Sequence, residues 1–451
     1  MLLQELERIA DALPRTKCMV VALVGADVPS LLAYLGAMAG GHATLPLSAD
    51  LHPEFLRTLL DRYQPEVILT GHGVAAAQGG GLLSDYRAQT SPNQELQIWM
   101  RLRGDQPPVH PELALLLSTS GSTGSPKLVR LSARNVVSNA DAISIALGID
   151  HLERASASLS FSYSYGLSVV HSHLRAGGCL VVTRHTLLER GFWDGLRQYR
   201  CTSLAGVPYM FDILKRVGFK DMDLPSLRTL TQAGGKLGNE MVLQFHGWMA
   251  ARKGRLVVMY GQTEATARMA CLPPELLPRK VGSVGFPIPG GHIRVVGDDA
   301  RTALVPGATG EIEYTGPNVM MGYANQRADL ARGDELGGIL QTGDLGYVDE
   351  DGCLFVVGRR KRFAKLVGLR VSLDDVEGQL QGAGSVAAID GGDSIVVFCT
   401  APSEEAVLGK MRALTTRLRV PASGLQLRVL DSIPLLPNGK PDYRQLAELL
   451  R

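Results

Sequence analysis

Residues 118–127 read STSGSTGSPK, a run of Ser, Thr, Gly and Pro closed by Lys127, directly after the apolar stretch LALLL. Without bulky side chains, successive backbone N–H groups can close on one anion, while hydroxyls and an ammonium add further donors. Phosphate is the guest such a loop suits; a solvated Gly/Ser surface loop is the bland alternative. A Walker A motif is excluded, because it needs Gly-Lys-Ser/Thr and Lys127 stands between Pro126 and Leu128. His171 and His173 do not make a metal site on this pattern, since positions i and i+2 of a helix point to different faces. The six cysteines are scattered without CxxC spacing, so neither a disulfide framework nor a zinc site is expected, and a reducing cytoplasm suits them.

Elements that could position such a loop alternate along the chain. CMVVALVG, PSLLAYLGAMAGG, HATLPLS, PEFLRTLLDRY and EVILTG read as strand, helix, strand, helix, strand. The same rhythm resumes from SASLSFS to RLVVMYG, with Tyr260 at the end of the last strand. Both stretches predict βαβ units around parallel sheets covered on both faces. From about residue 281 to 358 the texture changes to short alternating strands with Gly and Pro turns, which predicts a small β subdomain. Residues 359–451 carry their own helix and strand pattern and predict a small α+β domain that moves against a large domain of residues 1–358. The fold class expected is therefore α/β: two parallel α/β sheets plus a β subdomain, followed by a mobile α+β domain. GHGVAAAQGGG at 71–81 reads as a surface loop.

Composition excludes several functions. With 451 residues, 46 Lys and Arg against 44 Asp and Glu, and a net charge of +2, nothing marks a nucleic-acid or membrane-surface binder. No apolar run reaches the roughly 18 residues of a membrane span. The first residues form an amphipathic helical stripe rather than a signal-peptide core.

Five motifs in order give the chain a family resemblance. STSGSTGSPK at 118–127, YGQTE at 260–264, QTGDLG at 341–346, GRRKRFAKLVGLR at 358–370 and PNGKPDY at 437–443 resemble the signatures of the adenylate-forming superfamily. Its members include acyl-CoA synthetases, adenylation domains of nonribosomal peptide synthetases, and luciferases. The resemblance spans nearly the whole chain, with a late start and a short last domain. It implies that a carboxylate attacks the α-phosphorus of ATP, giving acyl-adenylate and pyrophosphate, and that a thiol then takes the acyl group. That chemistry needs placement and charge neutralisation more than an acid–base pair.

The resemblance also implies roles. Ser120, Ser122, Thr123 and Lys127 would hold the β- and γ-phosphates, with Thr119, Gly121 and Gly124 also in the nucleotide site. Tyr260 would lie against adenine, with Gly261, Gly234 and Gly235 beside the nucleotide. Thr263 would bond the α-phosphate, Glu264 would share Mg²⁺ with phosphate oxygens, and Asp344 would accept from the ribose hydroxyls with Arg359 beside it. Lys440, in a Pro/Asn/Gly turn, would contact both the carboxylate and the α-phosphate, although an isolated Asn-Gly-Lys is ordinarily a solvated turn. Arg362 stands at the family's hinge, where Asp or Lys is usual; Ala364 and Asp375 depart from the family's Ile and Glu. Lys365 and Gly368 would face the site during thiolation.

The acid is expected to lack an α-amino group, because Tyr163 in FSYSYGLS occupies the position where amino-acid-activating relatives place Asp. Ser162, Tyr163, Gly206, Val207 and Lys236 are the candidate substrate pocket, with Lys236 either pairing a second carboxylate or simply solvated. The PNGKPDY ending tilts the acceptor toward a phosphopantetheinyl carrier protein; free CoA is the alternative. The basic cluster Arg359, Arg360, Lys361, Arg362 and Lys365 would suit either acceptor, or be a solvated face. A non-catalytic nucleotide-binding scaffold is the reading of another class.

Overall fold

The computed structural model describes residues 2–71, 83–92, 94–102, 106–118, 127–297, 302–359, 362–366, 369–380, 385–392, 394–418, 421–436 and 440–450. Thr119, Ser120, Gly121, Ser122, Thr123, Gly124, Arg360, Lys361, Gly368 and the side chains of Lys365 and Asp375 lie outside the described residues. The chain divides into two compact units. One consists of Met1–Thr186, Gln262–Arg268 and Gly316–Leu340, the other of Leu187–Gly261, Met269–Thr315 and Gln341–Arg451.

The first unit is built on an eight-stranded sheet. Its centre is parallel: Met19–Val24 lies between Ala43–Ser48 and Val67–Gly71, and every residue of Met19–Val24 is buried. A strand covered on both faces needs an unbroken apolar run rather than alternation, and MVVALV supplies one. The expected all-parallel sheet is corrected at its edges. Leu113–Ser118 and Leu128–Ser132 pair antiparallel, as do Val67–Gly71 with Leu96–Arg101 and Leu128–Ser132 with Gly322–Ala324. Between residues 118 and 128 the chain is too short for the dozen-residue crossover that a parallel pair requires, so it returns as a hairpin. Those two strands, largely buried, flank residues 119–127.

Helices cover the sheet and are capped as their sequences dictate. Ser132 and Asn135 form a reciprocal capping box at the start of Ala133–Leu147, and Gly148 closes it in a left-handed conformation. In helix Ser164–Arg175, Gly166 is required by close approach, since a Cβ there would stand 2.2 Å from the Ser160 carbonyl oxygen. The same helix buries His173 and half-buries His171. His171 Nε2 is 2.8 Å from the Tyr34 hydroxyl, and burial pushes its pKa down to about 4. His173 Nδ1 is 2.8 Å from the Val169 carbonyl.

The second unit carries a parallel run, Ser203–Gly206, Thr229–Gln232 and Arg255–Tyr260, extended antiparallel by Ala270–Cys271 and Phe286–Pro287. Four antiparallel strands, His292–Val296, Gly310–Thr315, Ile339–Val348 and Leu354–Arg359, follow as the β piece expected from residue 281. Residues after 359 add the hairpin Phe363–Leu366/Leu369–Ser372 and a three-stranded sheet, Val386–Asp390, Ile395–Thr400 and Leu425–Leu430. Helices Leu373–Leu380 and Glu404–Leu418 supply Val376, Leu380, Val407 and Met411 to a core with Val397 and Cys399.

All six cysteines are free. Cys18, Cys201, Cys271, Cys353 and Cys399 are buried, and Cys179 is half-buried. Burial pushes the Cys18 thiol up to about 12 and raises those of Cys353 and Cys399.

Candidate functional site

In the first unit, Lys127, Tyr323 and Glu264 form a chain. The Lys127 ammonium lies 3.6 Å from the centre of the Tyr323 ring, and the Tyr323 hydroxyl donates to Glu264 Oε1 at 2.8 Å. Tyr323 comes from the edge strand Gly322–Ala324, paired to the strand that Lys127 precedes. It therefore joins the cation after the loop to the carboxylate of the second motif. Sequence reasoning missed it, because a tyrosine in MGYAN carries no chemical signature of its own.

Thr263 opens a single 3₁₀ turn, Thr263–Ala265, and its hydroxyl is 3.2 Å from that of Ser164. The backbone then runs through two non-glycine residues with positive φ, Thr266 at 57° and Ala267 at 105°. Such backbone persists only where its surroundings over-determine it. Here Thr266 donates to the Asn318 carbonyl, and Asn318 Nδ2 donates to the carbonyls of Ala265 and Arg268. Asn139 Nδ2 adds a bond to the Arg268 carbonyl at 2.9 Å. Thr263 and Glu264 are thus presented by a rigid turn rather than by a free loop.

Ser162 and Tyr163, both half-buried, lie at the entry of helix Ser164–Arg175. Ser162 pairs with Ser160 at 2.8 Å, and the Tyr163 ring meets Tyr165 edge-on at 6.4 Å.

In the second unit the nucleotide residues expected from the third motif converge. Asp344, buried, faces Arg359 across the strand pair Ile339–Val348 and Leu354–Arg359, with Oδ1 3.5 Å from Arg359 Nε. Its other oxygen accepts from the Tyr260 hydroxyl. Burial, reinforced by the Asp344 charge, holds the Tyr260 phenol well above its ordinary pKa, so it stays a neutral donor. Thr342 fixes the turn, donating to the Ile312 carbonyl at 2.6 Å and accepting from Asp344 N–H at 3.1 Å.

Gly206 and Gly235 have packing reasons for being glycine, and Gly234 a conformational one. A Cβ on Gly206 would stand 3.0 Å from the Phe211 ring, one on Gly235 3.1 Å from Pro208, and Gly234 has φ of 85°. Val207 is buried as the residue before helix Pro208–Arg216. Lys236 is exposed, its stem beside Gly378 of helix Leu373–Leu380.

For Arg362 the solvated-face alternative does not hold. Its guanidinium is paired with Asp374 at 2.8 Å and Glu377 at 2.8 Å, and stacks 3.7 Å from the centre of the Tyr443 ring. Glu377 also accepts from the Tyr443 hydroxyl at 2.9 Å and from Ala388 N–H at 2.7 Å. Burial raises the Glu377 carboxyl above its ordinary value against the pull of Arg362, and the two acids hold Arg362 protonated. Arg362 is therefore bound to the small domain's own helix. Tyr443 follows Lys440 by three residues, so the same cluster anchors the segment that carries this lysine. Leu436 N–H donates to the Lys440 carbonyl at 2.7 Å, and Asp442 N–H to that of Pro434 at 2.8 Å.

The AMP-binding enzyme family model matches residues 2–324, well over half of the chain. This chain belongs to the AMP-binding enzyme family. It is thereby a member of the adenylate-forming superfamily. Among its relatives is the indoleacetate–CoA ligase of Aromatoleum aromaticum, 29% identical over 98% of this chain and 91% of the relative. Another is the PKS-NRPS hybrid synthetase acdB of Aspergillus candidus, 26% identical over 93% of this chain and 17% of that much longer protein. The fold matches that of the anthranilate–CoA ligase AuaEII in complex with anthranoyl-AMP, with a TM-score of 0.81 at 18% identity over 100% of this chain and 91% of that one.

Proposed function

We propose that this family member activates a carboxylic acid with ATP, releasing pyrophosphate, and passes the acyl group from its adenylate to a phosphopantetheine thiol. The observation that carries the reading is the Lys127–Tyr323–Glu264 chain beside the rigid Thr263 turn. It places a cation, a carboxylate and a hydroxyl donor on fixed backbone, which is what phosphoryl chemistry asks of a protein. Mg²⁺ fits this donor set. Tyr323 engages Glu264 Oε1, leaving Oε2 as a hard oxygen ligand, and the ion would neutralise phosphate charge. Asp344, oriented by Tyr260 and Arg359, is the acceptor for the ribose hydroxyls. Lys440 supplies positive charge where carboxylate and α-phosphate meet, and the domain of residues 359–451 turns to exchange it for the thiol. The cytoplasm is the compartment that suits six free thiols; among the described residues no helix is long and apolar enough to cross a membrane.

The PNGKPDY ending supports a carrier protein as acceptor, while similarity to a CoA ligase over nearly the whole chain supports free CoA. The deciding experiment is ATP–pyrophosphate exchange across a panel of acids, followed by acyl transfer to holo-carrier protein and to CoA in parallel. Exchange with simple carboxylic acids is expected. Exchange only with α-amino acids overturns the substrate reading, and ATP binding without exchange supports a scaffold.

A further inference from the structure

Arg268 ends the rigid turn after Thr263, and its position is unusual for an arginine. The residue is 2% exposed, among the largest fully buried side chains of the chain. Among the described residues its guanidinium has no carboxylate in ion-pair reach, and its Nε has no hydrogen-bond partner. Its one side-chain neighbour of note is the Tyr165 ring, 4.8 Å from the guanidinium carbon. A buried charge without a counter-ion is costly, and proteins ordinarily pair it. The other buried arginines follow that rule: Arg130 meets Glu335, and Arg327 meets Glu66.

The surroundings of Arg268 are those of the acid site. Tyr165 touches Tyr163 edge-on, and Ser164 between them bonds Thr263, the hydroxyl assigned to the α-phosphate. Two asparagines clamp the Arg268 carbonyl, so the side chain leaves a fixed backbone. We propose, on the adenylation reading above, that Arg268 receives a second anionic group on the acid, so that the substrates are dicarboxylates or acids with a comparable anionic tail. The planar guanidinium matches a carboxylate bidentately, and the buried setting strengthens the pair. One carboxylate of the substrate reacts at ATP while the other completes the missing ion pair. Lys236, the sequence-based candidate for this role, is exposed and lies in the second unit.

The test is pyrophosphate exchange with matched acids of several lengths, aliphatic and aromatic, each diacid beside its monomethyl ester. The best diacid is expected to exceed its ester in kcat/KM by about 30-fold or more, the worth of a buried charge pair. Arg268→Met should reverse that ratio. Arg268→Lys, which keeps the charge without the fork, should lower kcat/KM for the diacid more than for the ester. It decides the matter if the Met variant fails to fold, which melting curves report. Preference of the wild type for the esters, or equal loss of both substrates in the folded variants, overturns the proposal and leaves adenylation standing. Absence of exchange with every acid overturns both.

Discussion

Replacing Arg362 with Met removes the cation from the buried cluster and keeps much of its length. Two carboxylates at 2.8 Å then lose their counter-ion, and the Tyr443 ring loses a guanidinium at 3.7 Å. Side-chain exposures of 16% for Arg362 and 15% for Glu377 leave little water to compensate; Asp374, at 26%, recovers part of its solvation. Breaking a buried pair from one side costs about 3–5 kcal/mol, an opening equilibrium shifted about 10²–10⁴-fold. Against a domain stability of about 5–15 kcal/mol that is a large share. Hydrogen exchange on the full chain reads it directly, as lost protection of Val386–Asp390, Ile395–Thr400 and Leu425–Leu430. The deficit should depend on pH. An unfolded Glu titrates near about 4.3, and burial holds folded Glu377 above its ordinary value. Its contribution is therefore fully present below the unfolded value and lost as pH rises through the folded one. Without Arg362 that loss deepens, so the variant should be nearer wild type at pH 5 than at pH 8. Wild-type protection at pH 8, or a deficit independent of pH, would refute the reasoning.

Three further outcomes follow from the site. Lys440→Ala should lower pyrophosphate exchange by about 10²-fold or more while still converting supplied acyl-adenylate to thioester; equal loss of both steps in folded protein contradicts a role confined to adenylation. Tyr260→Phe, which removes the donor that orients Asp344, should raise the KM for ATP about 3- to 10-fold with little change in kcat, and an unchanged KM counts against that orientation. Gly166→Ala drives a Cβ against the Ser160 carbonyl oxygen and should cost about 1–3 kcal/mol, seen as a lower melting temperature; an unaltered melt disproves the close approach.

The strands were legible in the sequence where both faces are buried, because MVVALV has no polar position and RLVVMY carries its polar residues, Arg255 and Tyr260, only at its ends. The hairpin around the loop was not, since Leu113–Ser118 has the same texture as a parallel strand and only the short return distinguishes it. Asp344 beside Arg359 was foreseeable from motifs, and their cross-strand register delivers it. The ion pairs of Arg362 were not foreseen, because its partners sit 12 and 15 residues further on, at Asp374 and Glu377. Two acids at i, i+3, Asp374 and Glu377 in LDDVEGQL, were the available signal. Tyr323 and Arg268 left none, for each acquires its meaning from neighbours distant in sequence: Lys127 and Glu264 for the tyrosine, Tyr165 and Asn139 for the arginine.

The fate of the cysteines bears on the chemical safety of such an enzyme. An acyl-adenylate is a potent acylating agent, and its intended target is a thiol, so the protein's own thiols compete with the acceptor for each activated acid. Only the thiolate is an effective nucleophile. Five of the six cysteines are buried, so access to them is small, and burial raises the thiols of Cys18, Cys353 and Cys399, which lowers their thiolate fraction further. Cys179, half-buried, is the residue on which self-acylation would first show. Mass spectrometry of enzyme held with acid and ATP but no acceptor should find any stray acyl mark there, and little on the other five.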